Sequence, residues 1–109
     1  MKRKAKAPRP RTLRRADERA ARALAEDRER LFQLERGGAP ERPLEVGSAS
    51  VVEVQALALR CPRCDGPHDL VEHNAVTAAG ARLRQVLLAC RQCGSRRAVY
   101  FRLREELPN

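Results

Sequence analysis

Large aromatic side chains are almost missing: the 109-residue chain has no Trp, one Tyr and two Phe. Aliphatic residues must then fill any core, and a small core of that kind yields only about 3–5 kcal/mol net. Long apolar runs are missing too, and none approaches the ~20 residues of a membrane span. The start, Met1-Lys2-Arg3-Lys4, continues into more basic residues and prolines, with no apolar stretch of the kind a secretory signal needs. The chain therefore reads as cytoplasmic. No Ser/His/Asp set, phosphate-cradling glycine loop or H-E-x-x-H segment appears, so the expectation is a protein with neither catalysis nor a small-molecule substrate.

What the chain does carry is four cysteines in two matched pairs, Cys61-Pro-Arg-Cys64 and Cys90-Arg-Gln-Cys93-Gly94. Two residues between thiols let both sulfurs of a pair turn toward one point. Two such pairs supply the four thiolates of a closed tetrahedral zinc site. Disulfides, or a redox-active pair, are the competing readings. A reducing compartment favours metal, and two symmetric copies flanked by strand-like sequence do not suit a thioredoxin-type motif. Structural zinc also answers the shortage of core, since four-ligand binding contributes on the order of 10–16 kcal/mol to folding.

Net charge is +9, and its distribution is uneven. Residues 1–36 hold 13 basic and 6 acidic side chains, a net +7, whereas residues 37–109 hold 10 and 8. Zinc held by four thiolates carries −2, which would bring the second part close to neutral. An electrostatic partner is therefore sought at the N-terminal segment.

Along the chain, residues 1–11 read as a disordered basic arm, with Lys2, Arg3, Lys4, Lys6, Arg9 and Arg11 and nothing to bury. Residues 12–36 are rich in Ala, Leu, Arg and Glu and predict a charged α-helix capped by Thr12, with Glu18–Arg22 and Glu26–Arg30 as supporting pairs. Its apolar stripe (Leu13, Ala16, Ala20, Ala23, Leu24, Leu31, Leu34) is mostly alanine; it could dock on the rest of the chain, pair with another helix or stay solvated. Residues 37–48 read as a Gly/Pro linker. Strands are expected over 51–59, 69–76, 82–89 and 97–104, with Val99, Phe101 and Leu103 on one face of the last and Tyr100 and Arg102 on the other.

Residues 51–104 resemble a zinc ribbon: Cys61, Pro62 and Cys64 form one knuckle, Cys90, Cys93 and Gly94 the other, with a β-hairpin between them. Gly94 is expected to let the backbone fold back toward sulfur without a Cβ clash. The resemblance implies a small α+β fold: arm, helix, then an antiparallel zinc-ribbon sheet over 49–105. Twenty-five residues separate Cys64 from Cys90, which fits two strands of about eight residues and a short turn. Four thiolates close the site, leaving turn packing for His68 and a surface or edge position for His73. Rubredoxin-type iron uses the same two turns and is the lesser alternative.

Function follows from the charge. The first expectation is nucleic-acid binding (RNA or DNA), with phosphates contacted by Lys2, Arg3, Lys4, Lys6, Arg9, Arg11, Arg14 and Arg15. Arg82, Arg84, Arg96, Arg97, Arg102 and Arg104 could add a surface on the ribbon, while Tyr100 and Phe101 alone make no stacking platform. The alternative is a protein-interaction or assembly module, using strand edges or the helix stripe.

Overall fold

The computed structural model describes residues 9–104. A 25-residue helix, α1 (Pro10–Leu34), opens it. It starts two residues before Thr12 because Pro10 occupies the first turn, where its fixed φ suits the helix and its missing N–H costs nothing. Arg11 thus belongs to the helix, and Lys2, Arg3, Lys4 and Lys6 lie outside the described residues. Of the expected helix pairs, Arg30 instead meets Asp27, at 3.5 Å on the solvent side.

The rest is β1 (Leu44–Val46), a 3-10 turn at Ala49–Val51, α2 (Val52–Ala58), β2 (His68–Ala78), β3 (Ala81–Cys90) and β4 (Arg96–Leu103). The sheet order is β1-β4-β3-β2. β2, β3 and β4 pair antiparallel, whereas β1 runs parallel to β4, Leu44 opposite Phe101. The fold is therefore small α+β, with a mostly antiparallel sheet that carries the cysteines. The hairpin of β2 and β3, 11 and 10 residues long, accounts for the wide gap between the Cys pairs. A β-bulge at Val71 shifts its register near the end where His68 pairs with Cys90.

Two expectations fail. The run Val51–Leu59 is not a strand: Val52 and Ala56, four apart, are both fully buried while Val54 is 69% exposed, which is helical periodicity. Short apolar runs of this kind are ambiguous until something packs on them. The strand supplied in its place comes from the supposed linker, where Leu44–Val46 takes the open edge of β4.

The core is Val46, Val52, Ala56, Val86, Leu88, Val99, Phe101 and Leu103, with α2 laid on the face of the sheet that these residues share. Along β4 the expected alternation holds, Val99, Phe101 and Leu103 being buried and Tyr100 and Arg102 not. Arg97 has the same parity as the buried set and is buried with it.

The helix α1 meets the sheet through Glu29, which bonds Arg97, and Phe32, which packs on the core, with the partly covered Ala25 on the same side of the helix. Its Leu stripe points elsewhere: Leu13, Leu24, Leu31 and Leu34 are 48–66% exposed. Phe32→Ala is expected to cost about 2 kcal/mol in urea unfolding. Leu34→Ala should change stability by no more than about 0.5 kcal/mol. The reverse ranking would mean that the stripe is the docking face.

Candidate metal centre

Each Cys pair sits where a strand ends or begins. Cys61 and Cys64 occupy the turn between α2 and β2, and Cys90 closes β3 before the turn that holds Cys93. The two turns have the same backbone wiring. Cys61 N–H donates to the Gly66 carbonyl (3.0 Å) and Asp65 N–H to Cys61 (2.7 Å). Cys90 N–H donates to Ser95 (2.9 Å) and Gly94 N–H to Cys90 (3.0 Å). Asp65 and Gly94 are therefore equivalent positions, and both have positive φ, 62° and 76°. Asp tolerates that conformation better than most residues, and Gly takes it freely.

Gly94 is needed for its φ and not for space, since a Cβ there would meet nothing within 4 Å. The space-limited glycine is Gly66, where a Cβ would stand 3.1 Å from Cys90 Sγ, 3.2 Å from Cys64 Sγ and 2.8 Å from Gln92 Cβ. Only a hydrogen fits between the two knuckles. Sequence reading credited Gly94 with this role and passed over Gly66.

The four Sγ atoms all lie within 4.8 Å of one another, so Cys61, Cys64, Cys90 and Cys93 form a group able to hold a metal ion. Cys61 and Cys93 sulfurs are 3.7 Å apart, and those of Cys64 and Cys90 3.3 Å. These separations are far beyond a disulfide bond of about 2.05 Å. A tetrahedron with metal–sulfur bonds of about 2.3 Å has edges of about 3.8 Å, close to what the sulfurs already make.

Hydrogen bonds prepare the sulfurs. Gln92 and Cys93 N–H groups point at Cys90 Sγ (3.3 and 3.4 Å). Burial opposes ionisation of Cys61, yet the Ser95 hydroxyl and the Cys64 and Arg63 N–H groups outweigh it and bring its pKa to about 6. Cys90 is lowered by the Cys93 N–H against its burial. Cys64 is pushed up to about 12, by burial and then by the neighbouring Cys90.

Behind the sulfurs lies a polar network that sequence reading missed. Ser95 Oγ is 3.0 Å from Cys93 Sγ and 3.5 Å from Cys61 Sγ, and it accepts from Arg97 Nη2 at 2.7 Å. Arg97 is buried and also holds Glu29 of α1, Nη2 to Oε2 at 3.3 Å. Its Nη1 donates to His68 Nε2. A guanidinium only donates and a carbonyl only accepts, so His68 carries its proton on Nδ1 and gives it to Leu59 (2.8 Å). With both ring nitrogens engaged, His68 packs the turn and is not one of the grouped ligands. His73, expected at the surface or an edge, lies on the edge strand β2 and is largely covered there, with Nδ1 3.9 Å from Glu53 of α2.

Arg97 thus leaves the set of surface arginines. Arg82, Arg96 and Arg104 are exposed, and Arg84 and Arg102 are partly covered. Arg9, Arg11, Arg14 and Arg15 are exposed and are not brought near the cysteines by any contact among the described residues. No helix among the described residues is long and apolar enough to cross a membrane. No protein-family model, curated protein or solved structure matches the chain. Four cysteines clustered on a small β-sheet, as in a zinc ribbon, remain the one family-like feature.

Metal affinity should depend on pH with a definite sign. Binding needs thiolates, so it displaces the Cys64 proton throughout the neutral range and competes with a second proton as pH falls through the Cys61 value of about 6. Competition against a chromophoric chelator should give affinity that rises from pH 5.5 to 8.5. Ser95→Ala removes the hydroxyl that most lowers the Cys61 pKa and should shift the low-pH loss upward. Affinity flat across this range would contradict the thiolate assignment.

Proposed function

We propose that this chain is a non-enzymatic, zinc-clasped module of zinc-ribbon type that binds nucleic acid through its N-terminal basic segment. Zinc is held by Cys61, Cys64, Cys90 and Cys93, which leave no open coordination position for catalysis. Spacing, sulfur separations near a tetrahedral edge and an all-thiolate donor set support zinc over harder metals.

The observation that carries the nucleic-acid reading is the separation of charge from the clasp. The first half of α1 is exposed throughout and holds Arg11, Arg14, Arg15, Arg19 and Arg22 against only Asp17 and Glu18. A helix section this basic and this free of the ribbon suits a polyanion, whose phosphates exchange condensed counterions for arginines. Base-specific readout has no support in the same residues, so the expected binding is tolerant of sequence.

Fluorescence anisotropy with a mixed-sequence oligonucleotide, at 50 and 200 mM salt, checks the reading. The full chain should bind at low salt and weaken at least tenfold at the higher salt, as several phosphate contacts require. A chain lacking residues 1–15 should bind much more weakly with a shallower salt dependence. No binding by the full chain at 50 mM salt would refute the proposal in favour of a protein partner.

A further inference from the structure

The exposed side of α1 is not uniform. At 100° per residue, Arg11, Arg15, Arg19 and Arg22 fall within an arc of about 80°, and Arg30 extends it by about 20°. All five are exposed. Glu26 falls inside the arc and Glu29, which bonds Arg97, sits at its edge, while the leucine stripe, Ala25 and Phe32 lie outside it. The row runs beside the docking face, so its C-terminal end arrives at the ribbon.

There it meets a groove of about 640 Å³ between α1 and β4. Arg30, Arg42 and Arg96 line it, together with Tyr100. Among its described lining residues the one acid is Glu29, already spent on Arg97. Arg42 is fixed by its bond to the Gln33 carbonyl (2.8 Å), which leaves other guanidinium N–H groups free to donate. Arg30 faces only the exposed Asp27, a pair of small energetic weight. The groove is therefore lined by Arg42 and Arg96, which have no acidic partner among the described residues, and by Arg30, whose one partner there is the exposed Asp27; its size is that of a cleft that takes a small ligand.

We infer that this groove, entered along the arginine row of α1, seats a single-stranded nucleic acid held by its phosphates. The inference rests on the nucleic-acid reading above and adds a second, structured contact to the basic segment. Tyr100 lies against the groove with its hydroxyl accepting from Gln85 at 3.0 Å. One aromatic ring is too few for a stacking series, so the seat is expected to read backbone and not bases.

The test compares two double variants of the full, metal-loaded chain that remove the same charge. Arg30→Gln with Arg96→Gln removes two of the three groove arginines; Arg36→Gln with Arg60→Gln removes two exposed arginines outside it. Binding of a 12-nucleotide poly-U strand is measured by anisotropy from 50 to 300 mM salt, and unfolding midpoints confirm that both variants fold. The groove variant should lose about 1.4 from the salt slope and bind about tenfold more weakly at 0.1 M salt. The control should lose much less. Equal losses in the two variants, with wild type still binding, would overturn the groove while leaving the nucleic-acid reading intact. A wild-type chain that does not bind the strand at all overturns both. A 12-base-pair duplex that binds as tightly as the strand, and is equally weakened by the groove variant, overturns the single-strand assignment.

Discussion

Four sulfurs gathered within 4.8 Å are the constraint on which the rest depends. They draw the turn after α2 and the turn between β3 and β4 to one point, fixing both ends of the hairpin. Eight mainly aliphatic side chains make up the core, and Phe101 is its one buried aromatic ring. A core of that kind gives a small unit little stability of its own. Crowded thiols without a cation would repel as soon as more than one ionised, and the shifts of Cys61 and Cys64 in opposite directions express that tension. A tetrahedral metal would remove it by accepting all four as thiolates.

The clasp is not isolated from the helix. A buried guanidinium, Arg97, joins Ser95 beside the sulfurs, His68 at the base of β2 and Glu29 on α1. A charge this covered needs several partners, because removing one leaves the others desolvated and unmatched. The helix is thereby set by polar contacts and one phenylalanine and not by its leucine stripe. That arrangement leaves its arginine row beside the ribbon and its leucines in solvent.

Much of the site was legible in sequence, because its signals are local. The Cys spacing gave the knuckles, and the 25-residue interval gave a hairpin of the right reach. What failed was non-local. Val51–Leu59 could satisfy either period until α2 packed on the sheet, and Leu44–Val46 is a strand only because β4 has an edge to pair. Arg97 is the instructive case. Its parity with Val99, Phe101 and Leu103 put it on the inner face, a signal present in the sequence and passed over as a solvated arginine. Its partner Glu29 lies 68 residues earlier and carried no such signal.

On the proposed reading the clasp and the basic segment divide the labour: metal and sulfur would hold the shape, and the exposed arginines of α1 would meet the partner. Native mass spectrometry combined with circular dichroism, before and after a strong chelator, tests the central claim most directly. The account predicts one zinc per chain, and loss of the β-sheet signal with the metal while much of the α1 helical signal persists. A purified chain that carries no metal, or whose sheet survives complete chelation, would contradict it.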